Sequence, residues 1–255
     1  MRQTDLIPFF TITFVITWVI LGLYMFASET MVRLFGNLTG QHPLFYAAVY
    51  APAIAALAVI FIRQGFGGIP RFLSRLLLWR TSIYWYVLLI LIVPLVFYVS
   101  ALFKPGALDT LFPFASVTAY LAALFFMAIK GPVEEIGWRG LALPLLQRRM
   151  APIWASLVLG VVWAVWHLPA FMLSGTPQSA WALTPLPVGT LALSVIVTPL
   201  FNHSRGSILL PAFFHLQLIN PLWPDAQPYD PGCLWVLPQS WCGSTGKRCS
   251  HATVP

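Results

Sequence analysis

This chain of 255 residues is 59% apolar, only 8% charged and has a mean hydropathy of +0.81. A soluble domain carries about 25% charged residues, so this composition excludes a soluble globular protein and predicts one that crosses the lipid bilayer several times. The net charge of +7 does not indicate a nucleic-acid partner, because the basic residues lie in short connections between apolar segments, as in membrane proteins generally.

The apolar segments predict an all-α fold, a polytopic membrane helix bundle of about eight transmembrane helices. Each span needs about 20 predominantly apolar residues. The candidate spans are residues 6–28, 44–62, 82–103, 113–130, 132–149, 151–170, 186–201 and 206–222. Segment 132–149 carries charged residues, so its apolar pattern alone does not identify it as a span. We count it as a span because of the spacing of two polar residues. Glu135 and His167 each lie 16 residues from the turn near Ala151, so they would meet at one depth in a helix hairpin.

Two further segments do not read as spans. Connection 63–81 spaces four arginines among Phe, Leu and Trp, which is typical of an amphipathic helix in the membrane interface. Residues 231–255 have no apolar periodicity, so we expect an irregular, disordered tail after a membrane-embedded domain of residues 1–230. With eight spans, connection 63–81 falls on the same side as the candidate site described below. We therefore expect a multi-pass protein of a bacterial cytoplasmic membrane with the site toward the cytosol.

The stretch GPVEEIGWRG, residues 131–140, places Glu134, Glu135 and Arg139 inside nearly continuous apolar sequence. An ionisable side chain at the bilayer centre costs at least ~2.5–3.5 kcal/mol, so such residues are functional candidates by default. The structural alternative is a helix start, where proline and acidic residues are favoured. In that case Glu135 and Arg139, spaced i, i+4, would simply form an ion pair.

Two histidines in separate spans, His167 and His215, suggest hydrolytic chemistry, although either one alone is more often structural. If Glu135 pairs with Arg139, Glu134 points about 100° away around the helix and would meet His167. Glu134 and His167 would then hold and deprotonate one water molecule. His215 would stabilise the oxyanion that forms when this water attacks a carbonyl. This is the chemistry of amide hydrolysis, which would act on a peptide or protein substrate in the membrane.

Three motifs, in chain order, resemble those of the CAAX-processing and bacteriocin-processing family of intramembrane proteases, which includes the type II CAAX prenyl endopeptidases. EEIGWRG resembles the motif EExxxR, and WAVWH resembles FxxxH with Trp163 in the Phe position. NHSRGSILLPAFFHLQLIN resembles the span that supplies the third motif, HxxxN, with His215 as its histidine. The resemblance covers roughly residues 40–225. It implies an eight-helix membrane fold whose site opens toward the cytosol.

The resemblance also implies a role for each matching residue and a membrane-associated substrate, prenylated or leader-bearing. The implied roles are Glu134 as the catalytic base, Glu135 and Arg139 as its support, His167 as the residue that shares the water, and His215 as the oxyanion residue. The family is often described as metalloproteases, and Glu134, His167 and His215 would supply three zinc ligands. No HExxH motif is present, and a metal-free water activated by Glu134 fits the same residues equally well.

The third motif departs from the family pattern in one position. Its asparagine should follow His215 by four residues, but Ile219 stands there and Asn220 comes one residue later. One helical residue is a rotation of about 100°, so Asn220 is an oxyanion candidate only if the helix bulges or has ended. The first alternative function is therefore a catalytically impaired or non-catalytic immunity or scaffold protein of the same fold. The second is an ion- or proton-coupled transporter, since buried Glu and His also serve relays.

Overall fold

The computed structural model describes residues 1–180, 183 and 185–225, and this part of the chain contains helices but no strand. The all-α prediction is confirmed, while the predicted tail, residues 231–255, lies outside the described residues. The helices are α1 (Leu6–Phe26), α2 (Ser28–Phe35), α3 (Pro43–Val49), α4 (Ala51–Gln64), α5 (Gly68–Leu73), α6 (Ile83–Val87), α7 (Val93–Ala101), α8 (Val117–Lys130), α9 (Glu134–Gly137), α10 (Leu143–Leu146), α11 (Pro152–Phe171), α12 (Pro185–His203) and α13 (Leu209–Leu218).

Five helical stretches in the described residues are long and apolar enough to cross a membrane. They are Gln3–Phe26, Ile83–Ala101, Val117–Leu146, Pro152–Phe171 and Leu186–His203. The pair α3 and α4, bent by 57°, would make a sixth if it forms one span. Helix α13 has only 10 residues, fewer than the roughly 20 that a span needs. The prediction of a polytopic membrane bundle is confirmed, whereas the count of eight spans is not.

Besides the bent α3–α4 pair and the short α13, the difference in count arises at Gly131 and Pro132. These two residues interrupt the apolar pattern, so segments 113–130 and 132–149 were counted as two spans, but the structure joins them in the 30-residue stretch Val117–Leu146. The backbone continues as a turn in which the N–H of Glu134 donates to the carbonyl of Gly131 at 3.1 Å. A proline at the start of a helical turn loses no helical hydrogen bond, so the chain direction persists.

Two π-helical turns interrupt the long helices, Leu88–Ile92 between α6 and α7 and Trp138–Ala142 between α9 and α10. Each turn is followed, after one intervening residue, by a proline, Pro94 or Pro144. A proline has no N–H, and its ring crowds the carbonyl four residues earlier. Widening the helix by one residue relieves this crowding, which explains why both turns stand at the same distance before a proline.

The helix that carries the EEIGWRG motif packs closely against α4 because Gly137 has no side chain. A Cβ at Gly137 would lie 2.4 Å from the carbonyl oxygen of Pro52. The next residue, Trp138, is fully buried, and its ring packs edge-on against Phe9 and Trp166, with centroids 5.6 Å apart in both cases. The main core therefore surrounds this motif, where α1, α4, α9 and α11 meet.

Connection 63–81 contains a helical segment, the six-residue α5 followed directly by a 3₁₀ turn, Ser74–Leu77, and its place in the membrane interface stays a prediction. Its arginines do not all share the exposed face that their spacing predicts. Arg71 is exposed, but Arg75 is only 8% exposed and its guanidinium donates to the carbonyls of Gly140 and Gly206, both at 2.7 Å. Spacing alone could not separate the two arginines, because burial of Arg75 depends on residues that lie more than 60 positions away in sequence.

Candidate active site

Glu135 connects the first motif, EEIGWRG, with His215 of the third motif. Its Oε1 accepts a hydrogen bond from Arg139 Nη1 at 3.0 Å, and Nδ1 of His215 on α13 lies 2.9 Å from the same oxygen. The side chains of Glu135 and Arg139 are each 2% exposed and that of His215 is 8% exposed. The predicted Glu135–Arg139 ion pair is present. Its link to His215 was not predicted, because it depends on how α13 packs against α9.

Glu134 is held by two tryptophans. Its Oε2 accepts hydrogen bonds from the indole nitrogens of Trp163, at 3.0 Å, and Trp138, at 3.3 Å. An indole N–H can only donate, so the carboxylate oxygen is the acceptor in both bonds. The sequence suggested that Glu134 would meet His167 directly. In the described residues its hydrogen bonds instead go to these indoles, and Trp163 lies one helical turn before His167.

Trp163 brings the remaining candidates together. The centroid of its ring lies 5.5 Å from that of His167 and 5.7 Å from that of His215, and Arg139 Cζ lies 4.8 Å from the ring. The structure therefore gathers Glu134, His167 and His215 around one indole. No catalytic or binding role was predicted for this tryptophan from the sequence. The available signal was Trp163 in the Phe position of FxxxH, because an indole adds a donor that phenylalanine lacks.

The ring of His167 has a defined orientation. Its Nδ1 lies 2.8 Å from the carbonyl oxygen of Trp163. A carbonyl only accepts, so Nδ1 carries a proton and Nε2 is the nitrogen that remains to contact a water molecule or substrate. His215 is arranged in the same way, because its Nδ1 faces the carboxylate of Glu135. In both imidazoles, Nε2 is therefore the nitrogen that can contact a water molecule or the substrate.

Ile219 lies beside the remaining nitrogen of His215. A Cβ built on Gly131 would be 3.0 Å from His215 Nε2 and 2.5 Å from Cδ1 of Ile219, so these two atoms approach the same point. The absence of a side chain at Gly131 leaves room for both. Ile219 therefore occupies the position that the asparagine of the third motif would take, and it presents only a methyl group there.

Asn220 is not brought into the site. Helix α13 ends at Leu218, and Asn220 lies in the turn that follows. Its Oδ1 accepts from the N–H of Leu222 at 3.0 Å, and its Nδ2 lies 3.4 Å from Oε1 of Gln217. These contacts stabilise the end of the helix, so the structure offers no support for Asn220 as an oxyanion donor.

Glu134, His167 and His215 are the candidate ligands for a metal ion. In the described part of the chain, no group of three His, Cys, Asp or Glu side chains is arranged to hold one. Glu134, His167 and His215 lie around Trp163, but they do not converge as the donor set that zinc requires. The residues present thus do not fit a zinc ion, and the mechanism below has no metal-dependent step.

Comparison with known proteins supports the predicted resemblance. Residues 115–218 match the family described as Rce1-like, type II CAAX prenyl endopeptidase. A CAAX prenyl protease 2 from Methanococcus maripaludis is 32% identical over 113 residues, which are 42% of this chain and 41% of that protein. The chain thus spans about two-fifths of the length of this curated relative. The matched residues include the first two motifs and His215 of the third. The resemblance to the type II CAAX prenyl endopeptidases is confirmed for this part of a helical membrane protein.

Proposed function

We propose that this protein is an intramembrane endopeptidase that hydrolyses a peptide bond of a membrane-associated substrate, with Glu134 as the general base. The similarity to type II CAAX prenyl endopeptidases supports this class of activity. The observation that carries the proposal is the gathering of Glu134, His167 and His215 around Trp163. The protein lies in a bacterial cytoplasmic membrane with this site toward the cytosol.

The geometry suggests a division of roles in the reaction. Glu134, oriented by two indoles, takes a proton from a water molecule, while Nε2 of His167 accepts the other O–H of that water. The water oxygen attacks the substrate carbonyl, and the oxyanion that forms lies against Nε2 of His215. Glu134 then delivers its proton to the leaving amine, so that one carboxylate serves as base and then as acid.

The charges of the site are consistent with this role for His215. Its Nδ1 already faces Glu135, so Nε2 can donate to an oxyanion only if the ring carries both protons. A protonated His215 together with Arg139 balances the two carboxylates, Glu134 and Glu135. A cluster without net charge is the least unfavourable arrangement for ionised groups at membrane depth.

One observation favours the alternative of an impaired or non-catalytic protein. Ile219 places an apolar methyl group next to His215 Nε2, where the family pattern has an amide. Loss of one oxyanion donor costs about 2.7–4 kcal/mol in a protease. The same fold would then serve as an immunity or scaffold protein that binds a peptide without cleaving it. A cleavage assay separates this alternative from the proposed activity.

The test is cleavage of a fluorogenic peptide in liposomes that contain the purified full-length chain. Peptides of one sequence, offered with and without a C-terminal prenylated cysteine and with a leader segment, define the substrate class. Glu134→Gln should lower kcat by about a hundredfold to ten-thousandfold, the usual contribution of a general base. Glu29→Gln alters an exposed acid and should have no effect. Wild-type cleavage by Glu134→Gln would remove the general-base assignment.

Histidine variants provide a second, matched comparison. His167 and His203 both lie on long helices, and each has Nδ1 at 2.8 Å from the carbonyl four residues earlier. Of these two histidines, His167 contacts the ring of Trp163 and His203 does not. His167→Gln should therefore abolish most cleavage, whereas His203→Gln should preserve it. Equal losses in the two variants would indicate that the histidines matter for helix structure rather than for the reaction.

A further inference from the structure

Arg75 is a buried cation that bonds to carbonyls rather than to acidic side chains. Its Nη1 donates to Gly140 and its Nε to Gly206, and the guanidinium lies 5.7 Å from the ring of Phe72 and 5.4 Å from that of Phe201. None of the ion pairs in the described residues includes Arg75. Burial lowers the pKa of the Arg75 guanidinium to about 10, so the group stays charged at neutral pH. Burying a charge without an ion-pair partner is costly, so these two hydrogen bonds need an explanation.

The first of these bonds completes the hydrogen bonding of the motif helix. Gly140 follows Arg139 directly and lies inside the π-helical turn Trp138–Ala142. In an α-helix its carbonyl would accept from the N–H of residue 144, but that residue is Pro144, which has none. Arg75 supplies a donor at 2.7 Å in its place. The bond therefore stabilises the widened turn one residue after Arg139.

The second bond ties Arg75 to the segment that leads into α13. Besides the bond to Gly206, the backbone carbonyl of Arg75 accepts from the N–H of Ile208 at 3.1 Å. Ser207 adds a bond from its hydroxyl to the carbonyl of Leu78 at 2.6 Å. Helix α13 starts one residue after Ile208 and carries His215. Arg75 thus connects the π-turn next to Arg139 with the start of the helix that carries His215.

The other π-turn is bonded in a parallel way. Gln217, two residues after His215, donates from Nε2 to the carbonyl of Leu89 at 2.7 Å, inside the turn Leu88–Ile92. Helix α13 is therefore anchored to one π-turn through Gln217 near its end and, through Arg75, to the other π-turn near its start. The Glu135–His215 contact lies between these two anchors.

We propose that Arg75 is a positioning residue of the candidate active site, which sets the distance between α9 and α13 and thereby the Glu135–His215 contact. Arg75 does not touch the reacting atoms and acts through the π-turn and the start of α13. Its catalytic consequence rests on the function proposed above, whereas its structural consequence does not. An arginine suits this position, because its planar guanidinium donates to two carbonyls from a fixed geometry.

The structural consequence is tested by a double-mutant cycle on the thermal unfolding of the full-length protein in detergent. The cycle combines Arg75→Met with His215→Ala, and a matched cycle replaces Arg75→Met by Arg71→Met, an exposed arginine of the same connection. If Arg75 positions His215, the double variant should lose less in unfolding temperature than the two single losses combined. The reason is that Arg75→Met already weakens the Glu135–His215 contact, so His215→Ala then removes less. Additive losses in the Arg75 cycle would overturn the proposal. If Arg75→Met yields no folded protein, Arg75→Lys, which keeps the charge but not the planar fork, takes its place.

The catalytic consequence is tested by steady-state cleavage, normalised to folded protein. Arg75→Met should lower kcat at least about tenfold and leave KM within about threefold, because misplaced catalytic groups impair the reaction more than substrate binding. Arg71→Met should change neither constant. A wild-type kcat for folded Arg75→Met would overturn the positioning role. Absence of cleavage by the wild-type protein would contradict the proposed function instead, and the thermal cycle would still decide the role of Arg75.

Discussion

Replacing Ile219 by asparagine is the most informative single change at the candidate site. The Cδ1 atom of Ile219 and the Nε2 atom of His215 both lie within about 3 Å of the place that a Cβ on Gly131 would fill. An asparagine carries its amide nitrogen at the same distance from the backbone as isoleucine carries Cδ1. Ile219→Asn should therefore place a hydrogen-bond donor beside His215, where the oxyanion is proposed to form.

The substitution should have two separate effects, one on the stability of the protein and one on kcat. Ile219 is half-buried, and full burial of an isoleucine contributes about 1.5–3 kcal/mol, so the change should cost about 1 kcal/mol of stability. One correctly placed oxyanion donor contributes about 2.7–4 kcal/mol in the transition state, which is about a hundredfold to a thousandfold in kcat. The stability loss is small compared with the ~5–15 kcal/mol of a typical domain, so the variant should stay folded, with a higher kcat than wild type and a slightly lower unfolding temperature.

The assay compares turnover of wild type, Ile219→Asn, Ile219→Ala and Asn220→Ala in the same liposomes. Ile219→Ala removes the bulk without adding a donor, so it should show little of the gain. Asn220→Ala should leave kcat nearly unchanged, because the Asn220 side chain bonds to the turn after α13. The reasoning would be refuted if Ile219→Ala matched Ile219→Asn, or if Asn220→Ala were inactive. In the second case Asn220 would be the donor after a rearrangement of the helix end.

Two further predictions concern groups that support Glu134 and Glu135. Trp163→Phe keeps an aromatic ring but removes the N–H that bonds to Glu134, so kcat/KM should fall about ten- to a hundredfold, in line with the ~1.5–3 kcal/mol of a hydrogen bond to a charged group. Trp154→Phe, which changes an exposed tryptophan of the same helix, is the control, and equal effects would contradict a specific role for the Trp163 donor. Arg139→Ala removes one partner of a buried ion pair and should cost ~3–5 kcal/mol of stability, measured by thermal unfolding. An unchanged unfolding temperature would show that Glu135 does not depend on this pair.

Contacts within one helix of the site could be predicted from the sequence, because they follow from helix geometry. Glu135 and Arg139 are one turn apart, so their ion pair is set by the 3.6-residue period whatever the surrounding fold. Composition likewise determined the all-α membrane class, and three short motifs identified Glu134, His167 and His215 as candidates. The number of spans was less predictable. The break at Gly131 looks like a connection in the apolar pattern, yet the backbone turn keeps the helix continuous.

Contacts between distant segments were decided only by the tertiary structure. The bond of Trp163 to Glu134, that of His215 to Glu135 and that of Arg75 to Gly140 join residues 29, 80 and 65 positions apart. No periodicity in a single sequence relates such positions, because their distance depends on which helix faces pack together. The sequence alone therefore determined which chemical groups this membrane protein carries within its apolar segments. Packing decided which of them meet, since a buried donor must find an acceptor and only the folded arrangement brings one within reach.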